Sequence, residues 1–133
     1  MGCFFMITIS LCMIVKNEQD VIARCLESVK NIVDEIIIVD TGSSDRTVEI
    51  ASHYTQNIYH FDWIDDFSAA RNFSFSKATK EYILWLDADD VIQSEHQKKF
   101  ITLKETLPHT IDVIMLHLMK IIKLYILIIE KDY

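Results

Sequence analysis

Short apolar runs alternate along the chain with stretches whose apolar residues recur at helical spacing. Residues 7–15 are nearly all apolar and rich in β-branched side chains, which is typical of a strand buried on both faces of a parallel sheet. Four later runs are shorter but have the same character. They predict further strands at 35–39, 57–61, 81–86 and 111–118.

The segments between these runs predict helices. Apolar residues from 21 to 29 fall on one face of a helix, and Asn17 with Asp20 three residues later is close to a capping box. Three more helices are predicted, at 45–53, at 67–77 with Asp66 as N-cap, and from Ser94 to before Pro108. Strands that alternate with helices form right-handed β-α-β units, so the sequence predicts an α/β domain with a parallel sheet.

Composition limits the classes of function. The chain has 133 residues, 50% of them hydrophobic, and a formal net charge of −7. This length predicts one domain, and the acidic balance repels phosphates, so we expect no nucleic acid partner. Cys3, Cys12 and Cys25 lack metal-binding spacing and are expected to be reduced, buried thiols of a cytoplasmic protein. Trp63 and Trp85 are predicted to belong to the core or to a pocket wall.

Polar motifs follow four of the predicted strands, at the point where each strand ends. These motifs are Lys16-Asn17-Glu18 and the segments 40–45, 62–66 and 87–90. Ligands of open parallel sheets bind at the carboxyl ends of the strands, which meet at one edge. We therefore predict a site where these segments converge, with the strand ends that carry Asp40 and Asp87 next to each other.

Asp87 and Asp89 are candidates for metal binding. They are two residues apart directly after a strand, so in extended backbone both carboxylates point to the same side. Oxygen ligands placed in this way suit Mg²⁺ or Mn²⁺. A solvated acidic turn is the alternative, and the spacing alone does not separate the two. Six aspartates between residues 62 and 90 also repel one another unless a cation is present.

Three further residues have two interpretations each. Asp40 ends a buried strand, where its carboxylate can accept hydrogen bonds from a nucleobase or ribose, or cap the turn that follows. Gly42 allows a tight turn or a close approach of the backbone to a ligand. Arg71 can pair with a diphosphate, or with Asp65 or Asp66. The sequence contains neither a glycine-rich dinucleotide fingerprint nor a P-loop.

Three segments resemble motifs of the family 2 glycosyltransferases, in the same order and with the same spacing. ISLCMIVKNE at 9–18 resembles the opening strand of the family. IIIVDTGSSD at 36–45 resembles its VDDGSTD element, with Thr41 in the second acidic position. ARN at 70–72, followed by YILWLDADD at 82–90, resembles its ARN…LDADD segment.

The resemblance, which extends over about residues 7–107, implies a GT-A fold. This is a Rossmann-like, mostly parallel sheet flanked by helices, here incomplete on its C-terminal side. The resemblance also implies a nucleotide-diphosphate sugar as donor and Mg²⁺ or Mn²⁺ as cofactor. By carry-over, the metal ligand is expected to be Asp89, and the donor nucleotide site is expected to contain Asn17, Glu18, Asp40, Gly42, Arg71 and Asp87.

The chain departs from the family pattern after its fourth strand. Family members continue with the acceptor site and, in inverting members, with a catalytic base, and no residue here matches that base. We therefore divide the chain into a truncated donor-binding domain at 1–118 and an atypical tail at 119–133. Alone, a donor half is expected to transfer no sugar and to self-associate through an uncovered apolar surface.

Three functions remain open at this point. The chain is a glycosyltransferase donor domain serving an unknown glycan, lipid or protein acceptor, an inactive nucleotide-binding module, or a metal-dependent nucleotidyltransferase. The last class usually has a Gly-, Arg- or Lys-rich phosphate loop after its first strand, which Lys16-Asn17-Glu18 does not provide. Charged residues interrupt the apolar stretch 111–129, so we expect a cytoplasmic protein, with a peripheral position at the inner face of the membrane as the alternative.

Overall fold

The structure is a computed structural model that describes residues 7–106, 113–116 and 124–128. Strands and helices alternate through its first hundred residues, as the apolar pattern predicts. In chain order the elements are β1 (Ile9–Val15), α1 (Ile22–Val29), β2 (Glu35–Asp40), α2 (Thr47–Ala51), β3 (Ile58–His60), α3 (Phe67–Lys77), β4 (Tyr82–Trp85), α4 (Ser94–Thr106), β5 (Val113–Leu116) and β6 (Leu124–Ile128).

The strands of the described residues form one sheet in the order β3-β2-β1-β4-β6-β5. The pairs β1–β2, β1–β4 and β2–β3 are parallel, so the first four strands all run in one direction. Strand β6 pairs antiparallel with β4 and with β5. The chain first builds outward from β1 to β3 and then returns to the other side of β1, which makes β1 the point where the strand order reverses.

Both faces of the parallel strands are covered, which explains why β1 is apolar at nearly every position. The larger core packs α1, α2 and α4 on one face, around Ile9, Leu11 and Met13 of β1. The smaller core packs α3 on the other face, where Cys12 of β1 lies with Ile37 and Ile83. Cys12 and Cys25 are both buried free thiols, as expected from their spacing.

Lys104 and Asp34 hold the amino-terminal end of β1 against its neighbours. Lys104 of α4 is only 4% exposed, and its Nζ donates to the Ile32 carbonyl at 2.7 Å and to Asp34 Oδ2 at 2.9 Å. Asp34 Oδ2 also accepts from the Ile9 amide at 2.9 Å. A buried cation is therefore held by a carboxylate that itself fixes the start of β1.

Most predicted elements are confirmed, but the cap of the first helix is wrong. Helix α1 begins at Ile22 and has no side-chain cap, because the Asn17 side chain is hydrogen-bonded elsewhere. Asp66 does cap α3, by accepting from the Ala69 amide at 3.1 Å. The fifth strand is observed over Val113–Leu116, and its remaining predicted residues lie outside the described ranges.

The division of the chain at 118 and 119 stays a prediction. The structure adds that Leu124–Ile128, inside the predicted tail, extends the sheet as β6. Among the helices of the described residues, none combines the length and apolar character needed to cross a membrane.

The Glu35 carboxylate joins three segments of the chain through hydrogen bonds. It accepts from Ser10 Oγ at 2.8 Å, from the Thr79 amide at 2.8 Å and from Thr79 Oγ1 at 2.7 Å, which binds β2 to β1 and to the segment before β4. Partial burial acts to raise the pKa of Glu35, but the hydrogen bonds from Thr79 and Ser10 outweigh it, so the pKa lies below its ordinary value.

We expect Glu35→Gln to lower the free energy of unfolding at pH 7 by about 1–3 kcal/mol, because hydrogen bonds to a charged acceptor are lost. The folded-state pKa lies below the unfolded-state pKa. The stabilisation is therefore present above the unfolded pKa and lost as the pH falls through the folded pKa. Urea unfolding from pH 7 to pH 3 should show the gap to wild type closing in acid. Glu105→Gln on the exposed side of α4 is the control, and a gap that stays constant with pH would contradict the assignment.

Candidate functional site

The carboxyl ends of β1 to β4 lie at one edge of the sheet, because these four strands are parallel. The predicted convergence of the strand-end motifs is therefore confirmed at the level of the backbone. The expectation that the ends carrying Asp40 and Asp87 are direct neighbours is wrong, since β1 lies between β2 and β4. The reversal of strand order places the segment after β1 between the other two.

Hydrogen bonds join the loop after β1 to the loop after β2. The Asn17 amide donates to Ser43 Oγ at 2.9 Å, and Asn17 Oδ1 accepts from the Ser44 amide at 2.8 Å. One residue later, the Glu18 amide donates to Thr47 Oγ1 at 2.7 Å, and Thr47 is fully buried. Each loop therefore satisfies the backbone of the other, and the two form one unit.

Two residues of this unit have left-handed backbone. Asn17 has φ of 53°, a conformation that Asn tolerates better than most residues with a side chain. Gly42 has φ of 119°, and a Cβ added there would meet no atom within 4 Å. Gly42 is therefore required by the tight turn, and the space beside it is open.

Asp40 caps the turn that follows it, which is the second of its two predicted interpretations. Its Oδ2 accepts from the amides of Gly42 and Ser43, both at 3.1 Å, and its Oδ1 accepts from Ser43 Oγ. The carboxylate is 9% exposed, and His60 Nδ1 lies 3.9 Å from Oδ2. Two oxygens with about four acceptor positions serve three donors here, so the carboxylate retains acceptor capacity.

Asp87, Ala88, Asp89 and Asp90 form a turn, which we call the acidic turn. The Asp90 amide donates to the Asp87 carbonyl at 3.0 Å, and the Asp87 amide donates to Asp90 Oδ2 at 3.0 Å. The expectation of extended backbone at Asp87 and Asp89 is therefore wrong, because β4 ends at Trp85. Both side chains are nonetheless exposed, while Ala88 is buried in the larger core and anchors the turn.

The three carboxylates of the acidic turn fit a divalent cation. Asp87, Asp89 and Asp90 each offer an oxygen, and these oxygens lie within 4.8 Å of one another. With metal–oxygen distances of about 2.1 Å, adjacent ligands of Mg²⁺ are roughly 3.0 Å apart and opposite ones roughly 4.2 Å, so the three side chains would have to converge on a bound ion. Asp90 was not among the predicted site residues, although its place in the same acidic run was a usable signal.

Negative charge accumulates around this turn. Burial first, then the charges of Asp89, Asp45 and Asp87, raise the pKa of Glu18. Burial also raises the pKa of Asp90, with further contributions from the charges of Asp87 and Asp89. Because β1 and β4 are parallel neighbours, the loop that carries Glu18 and the acidic turn leave the sheet side by side. A cation would relieve the mutual repulsion of these groups.

The aspartates that follow β3 have local partners instead. Asp62 Oδ1 lies 2.7 Å from His60 Nε2, and Asp66 caps α3. Asp65 Oδ1 accepts from the Trp63 indole at 2.9 Å. In the described part of the chain, the acidic turn is the one group of acidic, histidine or cysteine side chains close enough to share a metal ion. Of the six aspartates, Asp87, Asp89 and Asp90 are therefore the candidates for metal binding, whereas Asp62, Asp65 and Asp66 have local structural partners.

A cleft of about 300 Å³ opens beside the loop after β1, and we call it the aromatic cleft. Its walls come from three strand ends. They are formed by Ile14, Val15, Lys16, Glu18, Thr41, Trp63 and Phe67. Trp63 is thus a pocket-wall residue, as the sequence predicted, whereas Lys16, Thr41 and Phe67 were not among the predicted site residues. Thr41 directly follows Asp40, and Lys16 directly follows β1, so strand-end position was the available signal.

Arg71 lies on α3, one helical turn after Phe67. Residues four apart share a helix face, so Arg71 is on the side of α3 that carries a cleft residue. Among the ion pairs of the described residues, none joins Arg71 to Asp65 or Asp66. The competing salt bridge is therefore not formed, because Asp65 binds Trp63 and Asp66 caps the helix.

Comparison with known proteins gives several relatives of this sequence. A TPR repeat-containing protein from Synechococcus elongatus is 54% identical over 85 residues, which are 64% of this chain and 21% of that protein. The SPbeta prophage-derived glycosyltransferase SunS from Bacillus subtilis is 40% identical over 94 residues, 69% of this chain and 22% of SunS. The chain thus spans about a fifth of the length of these relatives.

Solved structures resemble the fold. TarS from S. aureus superposes with a TM-score of 0.58 and 24% identity, covering 72% of this chain and 32% of TarS. Glucosyl-3-phosphoglycerate synthase from Mycobacterium tuberculosis, solved in complex with Mg²⁺ and UDP, gives a TM-score of 0.56 and 22% identity. That alignment covers 64% of this chain and 34% of the synthase. The GT-A fold expected from the sequence is confirmed.

The family model described as Glycosyl transferase family 2 matches residues 10–122 of the 133. This range includes both loops of the joined unit, the acidic turn and helix α3. We conclude that the chain belongs to glycosyltransferase family 2.

Proposed function

We propose that the chain binds a nucleotide-diphosphate sugar with the help of Mg²⁺ or Mn²⁺, as the donor-binding part of a sugar transferase. The observation that carries the proposal is the position of Glu18, which lines the aromatic cleft on the loop after β1, while β4, the parallel neighbour of β1, leads into the acidic turn. A recess and a cation-binding turn therefore adjoin each other, as a ligand with a base and a diphosphate requires.

The acidic turn is the proposed metal site. Asp89 and Asp87 are exposed and offer oxygens to a shared cation, while Asp90 is held by the Asp87 amide. When bound, the cation supplies Lewis-acid stabilisation of the charge that develops on a departing nucleoside diphosphate. The chain itself contributes a fixed turn, since Ala88 is buried in the larger core and Cys25 Sγ of α1 lies 3.7 Å from the Asp87 carbonyl.

Asp40, Gly42 and Asn17 are the proposed ribose and base side of the site. Asp40 is held in one orientation by three donors of its own loop and retains acceptor capacity for a ligand hydroxyl or N–H. Asn17 holds the Ser44 amide, and Gly42 leaves open space beside the backbone. A rigid loop loses little conformational entropy when a ligand binds, which favours affinity.

Arg71 is the proposed cation for the diphosphate or for its approach. Its guanidinium is not committed to Asp65 or Asp66, and it stands one turn along α3 from a residue of the aromatic cleft. Guanidinium groups bind phosphate oxygens in a bidentate manner, which a lysine does not. The choice of sugar, the binding of the acceptor and the transfer step are properties of a whole transferase. We propose that an acceptor-binding part of the kind found in the family completes this donor-binding part.

Replacing Asp89 tests whether nucleoside diphosphate binding depends on a metal ion held by the acidic turn. We expect nucleoside diphosphate binding to require Mg²⁺ or Mn²⁺, and Asp89→Asn to weaken it at least tenfold, or about 1.4 kcal/mol, because a neutral amide replaces a charged ligand. Isothermal titration with UDP and GDP, each with metal and with chelator, measures this. Asp62→Asn is the matched control, since Asp62 is 90% exposed at the same edge and pairs with His60. Equal affinity with metal and with chelator would count against a metal-bridged diphosphate.

Replacing Asn17 tests whether its left-handed backbone and its hydrogen bond stabilise the joined loops after β1 and β2. Asn17→Ala should lower the free energy of unfolding by about 1–3 kcal/mol, because alanine pays for the left-handed backbone and loses the bond to the Ser44 amide. Asn17→Gly adopts the same φ without strain and should be the less destabilised variant. Urea unfolding gives the two stabilities, and titration should rank nucleoside diphosphate affinity in the same order. An alanine variant as stable as the glycine variant would show that the backbone at 17 is not strained.

A further inference from the structure

Trp63 is unusual among the exposed residues because its ring is held in place. The side chain is 44% exposed, yet its indole N–H donates to Asp65 Oδ1 at 2.9 Å. Asp65 itself has left-handed backbone with φ of 56°, which is uncommon for a residue with a side chain. A sparsely populated backbone conformation at Asp65 therefore accompanies the acceptor that binds the indole N–H.

The second aromatic ring of the same wall is also held. Phe67 is 49% exposed and packs edge-to-face on Trp85 of β4, with ring centroids 5.8 Å apart. Phe75 packs on the same indole from α3, at 5.6 Å. Trp63 and Phe67 thus present apolar surface to the aromatic cleft from a supported wall. Exposed apolar rings cost free energy in water, so covering this wall with the flat face of a ligand is favourable.

The occupant is indicated by what adjoins the cleft. Glu18 and Thr41, the residue after Asp40, both line it, and the loop that carries Glu18 leaves β1 beside the acidic turn that follows β4. A ligand that fills the cleft and reaches the acidic turn has a flat apolar part at one end and a metal-binding anionic part at the other. A nucleoside diphosphate meets both conditions, because its base has a π face and its diphosphate binds divalent cations.

We propose that Trp63 stacks on the nucleobase of the bound nucleotide, and that Asp65 is a positioning residue that fixes the indole for this contact. The proposal rests on the proposed function and adds a stacking residue from the loop after β3. Stacking uses the face of the base and not its hydrogen-bonding edge, so this contact raises affinity for every nucleoside diphosphate. Choice among bases is then left to groups that meet the base edge.

Fluorescence separates base stacking from phosphate binding. The chain has two tryptophans, so in the Trp85→Phe protein Trp63 is the sole one. With Mg²⁺ present, UDP and GDP should quench Trp63, whereas pyrophosphate should bind by titration calorimetry without quenching. Nucleoside diphosphates that bind without changing Trp63 emission would overturn the stacking contact.

Affinity in the otherwise unchanged chain gives the second measurement. Trp63→Leu should weaken UDP and GDP about tenfold and leave pyrophosphate unchanged, and Trp63→Phe should retain most of the affinity because it keeps a ring. Circular dichroism and urea unfolding confirm that each variant is folded. Metal-dependent UDP binding that is equal in wild type, Trp63→Phe and Trp63→Leu would overturn the inference and leave the proposed function standing. Absence of UDP, GDP and pyrophosphate binding to wild type would overturn the proposed function itself.

The positioning role of Asp65 has its own measurement. In the Trp85→Phe background, Asp65→Gly keeps the left-handed backbone without strain but removes the acceptor, so it should lower the fluorescence anisotropy of Trp63 and weaken UDP binding several-fold. Asp65→Asn keeps an acceptor oxygen for the indole N–H and should retain both quantities, which a purely electrostatic role of the carboxylate would not allow. Anisotropy and affinity that are unchanged in Asp65→Gly would show that the hydrogen bond does not position the ring.

Discussion

Parallel pairing of β1 on both of its edges is the constraint on which the rest of the structure depends. Strand β1 bonds to β2 on one side and to β4 on the other, and all three run in the same direction. Their carboxyl ends therefore lie together, and helices must cover both faces. Ile9–Val15 is apolar because this central strand is buried on both faces. The loop that leaves Val15 lies between the polar loops that follow β2 and β4.

The candidate site is built from loops that satisfy one another's backbone rather than from long side chains reaching across open space. Asn17 Oδ1 accepts from the Ser44 amide while the Asn17 amide donates to Ser43 Oγ, and Asp40 holds Gly42 and Ser43. The three carboxylates of the acidic turn are in none of the described ion pairs, and their oxygens lie within 4.8 Å of one another. Burial raises the pKa of Asp90 and of Glu18, and the neighbouring carboxylates add to this effect.

Local rules predicted some of these residues correctly and failed at others for a stated reason. Asp66 caps α3 because a cap needs only its own helix, and the sequence shows both partners. Asn17 has the same local signal, but its Oδ1 binds the Ser44 amide, 27 residues away, and α1 begins without it. Strand β4 ends at Trp85, one residue before the end of the predicted run 81–86, and Ala88 just beyond it is buried in the core.

The sequence by itself determined the alternation of strands and helices, the buried position of β1 and the family, because apolar periodicity and short motifs are local properties. Only the tertiary structure decided that β1 separates β2 from β4, that the loop carrying Glu18 lies beside the acidic turn, and that Trp63 and Phe67 share a wall with Thr41. The physical reason is that strand order and side-chain partnership depend on which segments the sheet brings together. These contacts join residues that lie tens of positions apart, and no local pattern records them.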